Sequence, residues 1–353
     1  SLMTATAPAD IDTAFSDFMP TIGLNMRQFD MMMKIYKILS QKYDVVCTNP
    51  PYMGGSGMNA KLSEFVKSKF PDSKSDLFAC FIEKCGQLAK PHGFYAMITQ
   101  HAFMFLSSYE NLRRKLMLKT TVNMAHLGAR AFDEIGGEVV QTTAFVMTGH
   151  IKDYKGTYAR LVDTVGENEK RDLFLSGDKR FAAKQENFSK IPGMPVAYWV
   201  SENFIRAFER GISIDSISDF TGSQHITANN DKYLRLHWEI DANKVGMGKK
   251  WVYYAKGGDF RKWYGNIELV VDWSEGAVQY YKTNSTSNLL AEKYRFKEGI
   301  TYTELTSSVN TFRYLPPVCI FDKKGPSIVS VKKLWYCLGI FGTKIAPLYF
   351  AIL

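Results

Sequence analysis

The sequence is poor in the residues that build metal centres and cross-linked folds. Its five cysteines, Cys47, Cys80, Cys85, Cys319 and Cys337, include no Cys-x-x-Cys pair, and its six histidines are scattered. That spacing excludes a zinc ribbon and a disulfide framework, so the thiols are expected to be reduced, mostly buried and cytoplasmic. Long apolar runs are also missing. Leu334–Leu353 comes nearest, but Gly339, Gly342, Lys344 and Pro347 interrupt it, which predicts a buried helix pair and no membrane span. Ser1–Pro20 carries Asp10, Asp12 and Asp17 and has no apolar centre, so it does not read as a signal peptide. Gly54, Gly55 and Gly57 suggest a phosphate loop, yet no Gly-Lys-Ser/Thr follows them.

What is present is the composition of a globular protein. In 353 residues, 46% are hydrophobic and 22% charged, enough for two domains with separate cores. The net charge of +9, most of it beyond residue 150, is compatible with a polyanionic partner.

The most informative stretch is Asn49-Pro50-Pro51-Tyr52, which follows the apolar run Tyr43–Thr48. Such a run, broken by two prolines, predicts a buried parallel strand ending in a rigid, extended turn. Strand ends are where open α/β sheets bind ligands. The Asn49 amide, the Pro50 carbonyl and the flat Tyr52 ring together suit a planar ring bearing an exocyclic amine. Around it, residues 24–40 predict a helix, and Lys61–Phe70 another. Asp76-Leu77-Phe78 opens an amphipathic helix that Pro91-His92-Gly93 is expected to end, before a strand at Phe94–Thr99. A helix at Ser108–Leu118, a strand at Thr120–Leu127, a Gly136-Gly137 turn and a strand at Val139–Met147 follow. Alternation of this kind predicts a doubly wound sheet closing in an antiparallel hairpin.

These motifs resemble those of gamma-class adenine-N6 DNA methyltransferases, particularly those of BREX phage defence and of type IIG restriction-modification enzymes. Asn49, Pro50, Pro51 and Tyr52 stand at the family's catalytic motif. Asp76 and Phe78 stand at the next, with Gly93–Thr99 and Gln141–Val146 at two later ones. The family's Gly-rich cofactor loop should precede the catalytic motif, and the 48 residues before Asn49 contain none. The chain is therefore expected to be a fragment that starts midway through the catalytic domain and is weak or inactive alone.

Beyond residue 150 the sequence turns to basic residues interleaved with aromatics and glycines, a mixture that suits nucleic acid. The run Lys256-Gly257-Gly258-Asp259-Phe260-Arg261-Lys262-Trp263-Tyr264-Gly265 resembles a segment of the family's target-recognition domains. Val252-Tyr253-Tyr254 just before it reads equally as an ordinary strand.

The resemblance implies an α/β fold, a partial Rossmann-like methyltransferase sheet followed by a mixed α+β target-recognition domain. The expected division is a catalytic part at 1–150, a connector at 151–200, a recognition domain at 201–333 and a truncated helical segment at 334–353. It implies S-adenosylmethionine as cofactor, double-stranded DNA and other defence-system proteins as partners, and no membrane. Asn49, Pro50, Pro51 and Tyr52 are then the catalytic residues, with Asp76 and Phe78 bordering the cofactor. Lys256, Gly257, Gly258, Arg261, Lys262, Trp263 and Tyr264 would contact DNA. A non-catalytic DNA-binding protein with a degenerate methylase half, and a protein-glutamine methylase, remain the alternatives.

Overall fold

The computed structural model describes residues 26–132, 140–221, 224–304, 311–350 and 352. The expected Gly136-Gly137 turn, and Gly222 and Ser223, lie outside them. The chain divides into two compact units, residues 1–189 with 193–199, and residues 190–192 with 200–353.

The first unit is built on one six-stranded mixed sheet. Its strands are β1 (Tyr43–Thr48), β2 (Ala89–Gln100), β3 (Thr120–Gly128), β4 (Thr142–Thr148), β5 (Lys155–Arg160) and β6 (Arg180–Lys184), in the spatial order β1-β2-β4-β3-β5-β6. β1 pairs parallel to β2, and β3 parallel to β5, while β4 runs antiparallel to both β2 and β3. Strands β1, β2, β3 and β5 therefore all point the same way, and their C-terminal ends emerge along one edge of the sheet. The segment expected as a connector supplies β5 and β6 to this sheet, because Tyr158 and Ala159 are buried strand positions that need its core.

Among the described residues, four α-helices precede β3: α1 (Met26–Ser40), α2 (Ala60–Lys69), α3 (Leu77–Leu88) and α4 (Glu110–Leu116). A fifth, α5 (Glu167–Ser176), lies between β5 and β6. Phe78, Ile82 and Cys85 of α3 and Leu112 and Leu116 of α4 pack on Tyr95, Met97, Met124, Phe145 and Met147, every second residue of the strands they cover. The opposite sheet face, with Ala96, Ile98, Ala144 and Val146, borders a concavity of about 770 Å³.

Three expectations need correction. β1 is parallel, as predicted, but it is the edge strand of this sheet, and Val45 is 63% exposed. An apolar run does not reveal how many neighbours a strand has. Cys47, on the same strand, is exposed, whereas Cys80, Cys85, Cys319 and Cys337 are buried. Pro91-His92-Gly93 does not close a helix: α3 already ends at Leu88, and these residues form an irregular start to β2, where register shifts between Tyr43 and Val45. A Cβ at Gly93 would come within 2.8 Å of the Tyr43 carbonyl oxygen, so this close crossing needs glycine.

The second unit holds two four-stranded sheets. One joins β8 (Leu234–Leu236), β9 (Trp251–Ala255), β10 (Leu269–Asp272) and β13 (Cys319–Phe321); the other joins β7 (Asp219–Phe220), β11 (Gly299–Tyr302), β12 (Phe312–Leu315) and β14 (Ser327–Val329). Val252, Tyr254, Val271, Ile320 and Phe321 of the first sheet share a core with Tyr281, which stands on a helix at Glu275–Thr283. The apolar C-terminal stretch folds as two short helices, Leu334–Phe341 and Ala346–Phe350, but the expected burial is only partial: Leu334, Cys337, Leu338 and Ala346 are buried, whereas Trp335, Tyr336, Ile340, Ile345 and Leu348 are exposed. No helix among the described residues is long and apolar enough to cross a membrane.

One buried cation ties the first unit together. Arg113 of α4 is 1% exposed; its Nε donates to the Gly193 carbonyl at 2.8 Å, and its Nη1 to those of Phe103 at 2.9 Å and Leu106 at 2.7 Å. Burial pushes its pKa down to about 10, which still leaves it charged at neutral pH. Arg113→Met strands three carbonyls and is expected to cost about 3 kcal/mol or more in urea denaturation.

Candidate active site and nucleic-acid interface

The Asn49–Tyr52 turn leaves the sheet at the C-terminal end of β1. Asn49 and Pro51 are exposed, Pro50 is buried and Tyr52 is half-buried. Its position is set by Asp76, the N-cap of α3. Oδ1 of Asp76 accepts from Met53 N at 2.9 Å, directly after the turn, and from Phe78 N at 3.2 Å, in the first turn of α3. Leu77 N also donates to the Met53 carbonyl, and Gly55 N to that of Ser75. Behind Tyr52 stands a ladder of rings: Phe78 meets it edge-on with centroids 6.1 Å apart, and Tyr109 meets Phe78 at 5.7 Å. Burial, and then the Asp76 carboxylate, raise the Tyr52 pKa, so the ring stays a neutral phenol. Of the two residues expected to border a cofactor, Asp76 caps α3 and Phe78 is fully buried behind Tyr52.

Further along the same edge stands a polar cluster that sequence spacing did not reveal. His101, just after β2, and His126, on β3, approach at 2.7 Å between Nδ1 and Nε2. His126 Nδ1 lies 3.1 Å from the Tyr198 hydroxyl. Lys170 of α5 is buried and donates to the carbonyls of Leu127, Leu161 and Thr164, all within 2.8 Å. These residues come from separate strands, loops and α5, so no local motif marks them. Burial, and next the neighbouring His101, Arg160 and Lys170, push the His126 pKa down to about 3. Among the described residues no group of three or more His, Cys, Asp or Glu side chains could hold a metal ion.

In the second unit, the predicted DNA-contacting run is the tip of the hairpin between β9 and β10. Arg261, Lys262, Trp263 and Tyr264 are exposed, as is Phe260, while Lys256, Gly257 and Gly258 form the climb from β9. The base of the loop is held through backbone groups. Lys256 N donates to the Asn266 carbonyl, Asn266 Nδ2 to that of Asp259, and Tyr314 N to that of Trp263. A Cβ at Gly257 would clash with the Lys324 carbonyl oxygen, so only glycine lets the loop lie against that turn.

Residues 9–129 match the model of the Eco57I restriction-modification methylases. The chain is 37% identical over 348 residues to the adenine-specific methyltransferase PglX of Lacticaseibacillus casei (strain Zhang), a match covering 91% of this chain and 29% of that protein. It is 42% identical over 299 residues to the adenine-specific methyltransferase BrxX of Escherichia coli O9:H4 (strain HS), covering 82% of this chain and 24% of that one. The chain thus spans less than a third of the length of these curated relatives. Its fold is like that of the type IIL restriction-modification enzyme MmeI, solved in complex with DNA, with a TM-score of 0.50 at 13% identity over 86% of this chain and 43% of that one.

Two outcomes follow for the first unit. Asp76→Ala removes a helix cap and the anchor of Met53, and should lower stability by about 1–2 kcal/mol in chemical denaturation. For His126, the unfolded chain takes up a proton below about pH 6.5, whereas the folded ring refuses it until about pH 3. Stability is therefore lost as pH falls through that window, by at most about 1.4 kcal/mol per pH unit. His126→Gln should flatten the slope of unfolding free energy measured between pH 7 and pH 4.

Proposed function

We propose that this chain is the base-gripping and DNA-recognition part of a site-specific adenine-N6 DNA methyltransferase that uses S-adenosylmethionine, serving phage defence or restriction-modification. The observation that carries the reading is the Asn49–Tyr52 turn, presented at a strand end with its amide exposed and its aromatic ring braced. Two further supports are the exposed basic and aromatic hairpin tip and the adenine-specific methyltransferases among the relatives.

An adenine inside a duplex cannot reach a methyl donor, so the target nucleotide turns out of the stack into the pocket. The Asn49 side-chain oxygen and the Pro50 carbonyl accept hydrogen bonds from its N6 amine and hold the nitrogen lone pair toward the donor. Tyr52 stacks on the base, and the Asp76 anchor and Phe78 keep that ring from yielding. Alignment of this kind supplies most of the rate, because no covalent enzyme intermediate is needed. The residues fit a sulfonium cofactor: the Asp76 carboxylate and the Tyr52 ring face both favour a nearby cation. When bound, S-adenosylmethionine supplies an already activated methyl group. Lys256, Arg261 and Lys262 meet phosphates, Gly257 and Gly258 let the backbone approach, and Trp263 and Tyr264 stack or wedge.

The test is transfer of labelled methyl from S-adenosylmethionine to unmethylated DNA by the full-length gene product containing this chain. Asn49→Ala should reduce transfer at least about 100-fold, in the range expected when a positioning contact at the reacting atom is lost, while leaving DNA affinity near wild type. Undiminished transfer refutes the reading. DNA binding without any methylation by the unaltered product would favour a non-catalytic specificity protein.

A further inference from the structure

The His101–His126 cluster has no part in holding the target amine, yet its outer rim has the make-up of a binding surface. His101, Phe105, Arg160 and Trp199 are each half-buried. Phe105 packs on Trp199 with centroids 5.9 Å apart and on His101 at 5.6 Å, and the Arg160 guanidinium lies 5.3 Å from the Trp199 ring. Beneath them His126 is 4% exposed, and Tyr198 is 3% exposed and stacked on Tyr158 at 4.7 Å. The floor is fixed and the rim is open.

We propose that His101, Phe105, Arg160 and Trp199 form a nucleotide-binding shelf that takes a base and phosphate of the DNA strand beside the nucleotide gripped by Asn49–Tyr52. The proposal rests on the DNA-methyltransferase reading and adds a subsite to it.

Three observations carry it. The first is placement. The shelf is assembled from the ends of β2, β3 and β5 and from Tyr198-Trp199, and those strands end along the same edge as β1. With neighbouring strands about 4.8 Å apart, β1 to β5 spans about 19 Å, the axial length of five or six stacked nucleotides at about 3.4 Å each. His101 is one strand away from the Asn49 turn. The second is chemistry. Aromatic faces with an arginine laid against them bind bases by stacking and cation–π attraction, without reading their identity. Arg160 Nη1 holds Asp163 at 2.9 Å, whereas its buried Nε has no hydrogen-bond partner among the described residues. The third is the fixed state of His101. His126 stays neutral and uses both ring nitrogens, one toward Tyr198 and one toward His101. A phenol is the better donor of the first pair, so Tyr198 donates to His126 Nδ1 and His126 Nε2–H donates to His101 Nδ1. That leaves His101 with its proton on Nε2, a donor suited to a phosphate or base oxygen.

The test measures binding of this 353-residue chain to a fluorescein-labelled DNA duplex by anisotropy across a salt series. Trp199→Leu should weaken binding five-fold to a hundred-fold, the range for loss of one base-stacking contact. Arg160→Met should weaken it and reduce the slope of log affinity against log salt by about one. His101→Ala should weaken it, with recovery in His101→Gln, which keeps a donor. Should a variant fail to fold, the unaltered chain gives a separate readout: DNA should quench tryptophan emission, and Trp199→Phe should abolish part of that quenching while binding within two-fold of wild type. Variants that fold and bind as the unaltered chain does, with the same salt slope and quenching, overturn the shelf and leave the methyltransferase reading standing. A full-length product that binds no DNA overturns both.

Discussion

The geometry of the first unit depends on one carboxylate. Asp76 caps α3 and, through the same oxygen, holds the backbone that follows the Asn49–Tyr52 turn. A helix start and a strand end are thereby fixed to each other by two hydrogen bonds to a charged group, which are stronger than neutral ones. The ladder Tyr52–Phe78–Tyr109 then passes that rigidity back into the core, where Arg113 fastens the loops after β2. The turn gains its stiffness from this framework, since its prolines restrict only themselves and the residue before each.

Much of this was legible from local pattern. Two prolines after an apolar run mark a strand end wherever it falls in a sheet, because they forbid its continuation; the Asn49–Tyr52 turn is where the sequence predicts it. The division of the C-terminal stretch into two helices was readable in part: Gly342 caps the first of them, whereas Gly339 and Pro347 lie inside the helices. The basic, aromatic and glycine-rich make-up of Lys256–Tyr264 was legible too, but its place at a hairpin tip was not; Val252–Tyr254 proves to be part of the strand that carries it.

What escaped the sequence depends on neighbours in space. The edge position of β1, with Val45 and Cys47 exposed, is a matter of strand order, and a run of apolar residues is the same at an edge as at the centre. The start of β2 was hidden because Pro91 and Gly93 normally punctuate; here they bend the strand past Tyr43 and Asp44. A strand at Tyr158–Val162 was legible inside the expected connector, but its pairing with β3, and that of β6 with it, was hidden, because a strand pattern does not name its neighbours. His101 and His126 sit 25 positions apart and meet across β4, which lies between β2 and β3.

The hairpin between β9 and β10 has a consequence for how the protein can change. Its base is secured by main-chain hydrogen bonds and by a glycine seated against the Lys324 turn, while Phe260, Arg261, Lys262 and Tyr264 are exposed and Trp263, half exposed, lays its ring against Gly342. Exposed positions carry little of the folding free energy. The tip, Trp263 apart, can therefore exchange one side chain for another without loosening its foundation, so that a lineage could acquire a new vocabulary of contacts while the scaffold beneath it stays as it is.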